Sequence, residues 1–170
     1  MTQDPENSAL LKECQSFMQQ HRTAVLATTD PQGVPEASYA PFISDRNRFC
    51  VYLSELAQHT RNLLAGSQAS LLLIEPETDD NRFTRRRVTV QANVAEIERH
   101  SPEWEEVMES MQAQLGETVA MLKTLDDFHL FALTPVRGRF VKGFAQAFDL
   151  EGETLSTLTH IRGPGHRKEA

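Results

Sequence analysis

Cysteine is nearly missing from this 170-residue chain. Cys14 and Cys50 are the only two, too few for a disulfide framework. No run of about 18 apolar residues exists, so membrane insertion through a helix is not expected. The N-terminal "MTQDPENS" is polar and lacks the hydrophobic segment of a secretory leader, so a cytoplasmic location is expected. Basic charge is also short. Seventeen Lys and Arg face 24 Asp and Glu, a net charge of -7, which argues against nucleic acid or an anionic membrane surface as partner. There is no Gly-rich phosphate loop, Cys-x-x-Cys, His-Glu-x-x-His or Gly-x-Ser-x-Gly. His21, His59, His100 and His129 are scattered without metal-ligand spacing, so neither a structural zinc nor a hydrolase triad is expected.

What is present reads as a single domain over residues 1–170, long enough for a sizeable core. "NSALLKECQSFMQQHR" predicts an N-terminal helix over about 7–21. Leu10, Leu11, Cys14, Phe17 and Met18 form its apolar stripe, with Asn7 or Ser8 as cap. "TAVLATT" and "VPEASYAPFI" read as strands around the turn "DPQG". "RFCVYL" is a strand, "ELAQHTRNLLAG" a short helix ending at Gly66, and "SLLLIE" an apolar strand. "FTRRRVTVQANVAEIE" alternates, with Val88, Val90, Ala92 and Val94 on one face. "SPEWEEVMESMQAQL" is a helix capped by Ser101 with Pro102 first, burying Trp104, Val107, Met108, Met111 and Leu115. A shorter helical piece near "ETVAMLKTL" precedes strands "FHLFALTP" and "GRFVKGFAQAFDL"; from Glu151 onward periodicity is weak. Six or seven strands joined by tight turns, with helices at the margins, predict a mainly antiparallel sheet closing into a small barrel.

Each candidate for chemistry has an ordinary reading beside it. The two cysteines lie on apolar segments and read as core thiols. Arg85, Arg86 and Arg87 alternate in side, which puts Arg86 in line with Val88 and Val90. A guanidinium there needs an exit to water or an anionic partner. Cross-strand ion pairing competes with a site for a ligand phosphate or carboxylate. His59, Arg61 and Asn62 in "HTRNL" can offer donors to an anion, or be a solvated helix face. Asp126 and Asp127 before "FHLFAL" mark a turn unless a ligand claims one of them. The ending "LTHIRGPGHRKEA" is, by composition, a polar tail, though Gly163, Pro164 and Gly165 can also shape a turn that presents His166.

Taken in order, "AVLATTDPQGVPEASYAPF", "HTRNL", "RRRVTVQA", "DFHLFALTPVRGRFVKGFAQAFDL" and "GPGHRK" resemble the HugZ/HutZ family of haem-utilisation proteins. That family lies within the pyridoxamine 5'-phosphate oxidase-like, FMN-binding split barrels. The resemblance runs from roughly Ala24 to Lys168. It implies an antiparallel split β-barrel with flanking helices, a homodimer with ligand sites between subunits, and a C-terminal ligand loop over about 150–170. It implies haem as ligand and substrate, with His166 as axial ligand to the iron. An acidic residue at the "DF" step, Asp127 (Asp126 being the alternative), would stand near His166 from the other subunit. A carboxylate bonded to the second nitrogen of an iron-bound imidazole orients it and makes it more basic. The implied reaction is oxygen-dependent opening of the porphyrin with electrons from an external donor, releasing iron and a biliverdin-like product. Arg85, Arg86, Arg87, Arg61 and His59 would be candidates for the propionates. FMN is the alternative cofactor. His59, however, stands where the flavin branch commonly has a Lys-type residue, and Ala145 replaces a frequent glycine in "GFAQAF".

Overall fold

In the Asp30–Gly33 turn the Asp30 carboxylate accepts the N–H groups of Gln32 and Val34, and Gly33 takes the positive φ of 83° that the turn requires. The turn joins β1 (Thr23–Thr29) to β2 (Pro35–Pro41) in the predicted hairpin. The computed structural model describes residues 5–152 and 154–161. The remaining elements are α1 (Pro5–Gln19), β3 (Ile43–Asp45), β4 (Arg48–Ser54), α2 (Gln58–Ala65), β5 (Gln68–Ile74), β6 (Arg87–Ile97), α3 (Pro102–Leu115), α4 (Thr118–Leu122), β7 (Phe128–Gly143), β8 (Gln146–Glu151) and β9 (Thr157–His160).

Every strand pairing is antiparallel. The main path has seven strands in the order β2-β1-β5-β6-β7-β4-β3, and β8 and β9 extend from β7 as a ribbon. The two ends of that path are consecutive in the chain, separated only by Phe42. Phe42 is buried, packs edge-on against Phe49, and donates its N–H to the Arg22 carbonyl. The sheet is therefore curled on itself and stitched at one corner by the chain.

Alternation decides what lies inside. Val88, Val90 and Ala92 of β6 point inward with Leu26, Leu71, Leu73, Leu133 and Phe140 to make the barrel core. Alpha-helix α1 lays Cys14 and Phe17 over this core. A second cluster sits outside the barrel wall, where α3 buries Trp104, Val107, Met108 and Met111 against Ile43, Cys50, Tyr52 and Leu130. The Ser101 hydroxyl caps α3 by accepting the Trp104 N–H, and Pro102 opens it.

Three expectations are corrected. Helix α1 begins at Pro5, which puts Asn7 and Ser8 inside its first turn rather than at its cap. "FHLFALTPVRGRFVKG" is one strand, because a bulge between Gln91 and Ala92 of β6 absorbs Val136 and lets β7 continue. The stretch after Glu151 contains β9, whose pairing with β8 compensates for its weak pattern.

Candidate functional site

The end of β4, the start of β7 and the end of β6 meet at one junction. The ladder between β4 and β7 finishes at Ser54 opposite Phe128, and the Glu55 N–H extends it by donating to the Asp127 carbonyl at 2.8 Å. The Ser54 hydroxyl donates to Oδ2 of Asp127 at 2.5 Å and accepts the Leu56 N–H at 3.1 Å. One carboxylate oxygen of Asp127 is thus held, and the other has no partner among the described residues. Asp126 is solvent-facing and only reaches Arg99 at 4.0 Å. Between the two acids, the geometry singles out Asp127 as the positioned one.

Two residues further along, His129 sits between two carboxylates. Its Nδ1 is 2.6 Å from Glu96 and its Nε2 is 2.6 Å from Glu55. Burial alone would lower its pKa; the bonds and charges of Glu96 and Glu55 outweigh that and raise it above the ordinary histidine value. Sequence reading missed this cluster. Its acids stand 33 and 74 positions from the histidine, and no local pattern brings such residues together.

On α2, the sequence-predicted donors are engaged by other groups of the protein. Arg61 binds the Glu55 and Leu56 carbonyls and the Gln58 side chain, so it braces the turn that follows Ser54. Asn62 is buried and donates to Thr28 and Glu36. The His59 Nδ1 lies 2.8 Å from the Ser38 hydroxyl, and burial lowers the His59 pKa.

The arginine run also divides. Strand β6 starts only at Arg87. Arg85 binds the Glu75 carbonyl and pairs with Glu77. Arg86 pairs with Glu75 and Glu13 and lies over the Phe17 ring at 5.3 Å. The backbone N–H and guanidinium of Arg86 in turn hold Glu75 below the ordinary carboxylate range. Ion pairing therefore accounts for Arg85 and Arg86. The Arg87 guanidinium bonds only to the Arg85 carbonyl among the described residues, so it alone of the three has no acidic partner there. His166, and the Gly163, Pro164 and Gly165 that precede it, lie outside the described residues.

The outer face of the sheet carries a change of character. Tyr39, Val25 and Leu72 stand side by side across β2, β1 and β5, and Tyr39 and Val25 are exposed. The same row continues through Thr89, Arg139 and Asp149 on β6, β7 and β8. There Thr89, Gln91, Arg137 and Arg139 line a concavity of about 400 Å³.

Comparison with known proteins places this architecture. Residues 10–142 match the family described as pyridoxamine 5'-phosphate oxidase. Heme oxygenase HutZ of Vibrio cholerae serotype O1 is 41% identical over 157 residues, covering 92% of this chain and 89% of HutZ. A crystal structure of HutZ from Vibrio cholerae, described as a heme storage protein, aligns with a TM-score of 0.69 at 40% identity. It covers 73% of this chain and 88% of that one. Campylobacter jejuni ChuZ aligns with a TM-score of 0.85 at 28% identity, covering 99% of this chain and 68% of its own.

Proposed function

The chain belongs to the pyridoxamine 5'-phosphate oxidase family, in its HutZ-like branch, and from that premise we propose that it binds haem and degrades it. The observation that carries this is the 41% identity to a heme oxygenase along 92% of the chain. Haem is the substrate and brings its own redox chemistry with oxygen. The chain's part is to ligate, orient and enclose. His166 would ligate the iron, and Asp127 would accept the N–H of its other ring nitrogen across a homodimer interface. The fit of Asp127 is supported by the Ser54 bond, which holds one carboxylate oxygen and leaves the other open. A carboxylate so placed orients the imidazole, makes it more electron-rich and favours ferric iron. Among the basic candidates, Arg87 on the outer face is best placed for a propionate, since Arg85 and Arg86 are engaged by Glu75, Glu77 and Glu13. An external donor supplies electrons. Opening of the ring consumes oxygen and releases iron and a biliverdin-like product.

Haem storage or delivery without turnover is the second reading, favoured by the storage description of the HutZ crystal structure. FMN has weaker support. Its phosphate would need free basic groups where Arg86 is paired and His59 is held at low pKa by burial.

A hemin titration tests all three. Wild-type protein is expected to give the Soret band of a histidine-ligated complex, and His166→Ala to abolish or grossly shift it. An unchanged spectrum in the variant removes His166 as the ligand. With ascorbate, oxygen and catalase present, the Soret band is expected to bleach. Tight binding without bleaching under any reductant selects storage, and a yellow preparation absorbing at about 450 nm selects flavin.

A further inference from the structure

The assignment of Asp127 leaves the neighbouring Glu55–His129–Glu96 cluster without a role. A neutral imidazole has one N–H and one acceptor nitrogen, whereas both nitrogens of His129 face carboxylate oxygens at 2.6 Å. Only the imidazolium can donate to both. The ring is further held by stacking on Phe131. Among the described residues, no Lys or Arg pairs with Glu55 or Glu96; His129 is their sole cationic partner. The carboxylates of Glu55 and Glu96 thus share a single positive charge at one end of β4, β6 and β7, while the Asp127 carboxylate is held separately by the Ser54 hydroxyl. Arg99, just after β6, reaches the turn after α4 that carries Lys123 and Asp126. There Arg99 binds the Leu125 and Lys123 carbonyls.

The backbone of this cluster is that of the Asp127 site. Glu55 donates its N–H to the Asp127 carbonyl, and its own carbonyl is braced by Arg61. Glu55 is a half-exposed side chain on a turn, and its carboxylate is anchored by His129. We infer that His129 is a positioning residue: as an imidazolium between Glu55 and Glu96 it ties β4 to β7 and β6, and so fixes the aim of the Asp127 carboxylate. This rests on the reading of Asp127 as the orienting partner of the ligand histidine. Without the cation, the Glu55 turn loosens and neighbouring carboxylates repel one another. The aim of Asp127 therefore weakens as His129 loses its proton on the alkaline side.

The experiment has one arm free of haem and one with it. Amide hydrogen exchange at pH 7 is compared for wild type, His129→Gln, which keeps a donor without charge, and His129→Arg, which restores a cation. The Glu55 and Leu56 amides are expected to exchange about tenfold faster in His129→Gln and to return toward wild type in His129→Arg. The Leu71 and Val90 amides should not change. Wild-type protection in His129→Gln, or loss spread over the whole barrel in both variants, overturns the inference. If His129→Gln does not fold, Glu96→Gln takes its place with the same expected outcome. In the second arm, each protein is loaded with hemin and its iron–imidazole stretching band recorded beside that of Asp127→Asn. His129→Gln should move the band in the same direction as Asp127→Asn while still binding hemin. A shift in Asp127→Asn with none in His129→Gln defeats the positioning role and leaves Asp127 standing. No shift in Asp127→Asn defeats the reading of Asp127, and the exchange arm then reports on the tie between strands by itself.

Discussion

Burial pushes the thiols of Cys14 and Cys50 up to about 12, so at neutral pH both are packing residues, as their apolar segments indicate. The histidines behave less uniformly. The pKa of His59 is lowered by burial against Ser38, and that of His129 is raised by its two acids despite its partial burial. The signs are opposite in their effect on stability. His59 contributes stability that is present above the unfolded value of about 6.5 and is lost as pH falls through its depressed folded value. The contribution of His129 is fully present below about 6.5 and is lost as pH rises through its raised value. Urea unfolding of wild type and His59→Gln at pH 7.5 and 5.5 checks the first. Wild type should lose more stability on acidification than the variant, and equal losses would refute the assignment. Asp127 was proposed through the family resemblance alone, with Asp126 beside it as the alternative, and one hydroxyl contact from Ser54 distinguishes the two in the structure. Ser54, Glu55, His129 and Glu96 were not legible, because strand register rather than spacing assembles them.

Among the elements, α3 was the most readable, since capping and helical periodicity are both local. Ser101, Pro102 and the buried Trp104, Val107, Met108 and Met111 stand where their spacing puts them. Removing the Ser101 hydroxyl leaves the Trp104 N–H without its acceptor. Ser101→Ala is expected to cost about 1 kcal/mol, seen as a lower midpoint in urea with unchanged slope. The arginine segment was misread for the opposite reason. Alternation was extended back through Arg85, but the strand begins at Arg87 and the preceding pair is organised by Glu75 across the loop. Local pattern cannot show where a ladder finds its partner. The long β7 is a similar case: Pro135 looked like a strand end, yet it pairs with Ala92 on the near side of the bulge.

At the scale of the whole molecule, the outer face offers an apolar surface bordered by charge, and the proposed haem site needs a second subunit to bring His166 to Asp127. Sedimentation equilibrium is expected to give twice the chain mass for wild type. Tyr39→Glu, which places a charge beside Val25 on that face, is expected to shift the equilibrium toward monomer and weaken hemin binding in parallel. A wild-type monomer that binds hemin normally would rule out a shared site. The fold class, closure into a small barrel included, was visible in the alternating strands and tight turns, but the position of the seam was not, because it depends on a single residue. Phe42 carries the chain from one margin of the sheet to the other, so the seam of this barrel is covalent. Opening the chain at the exposed Asp30–Gly33 turn and rejoining it elsewhere would leave that seam whole. Opening it at Phe42 would unlink β2 and β3, two strands whose outer edges have no strand partner among the described residues, and leave only packing to hold those edges away from pairing with another molecule.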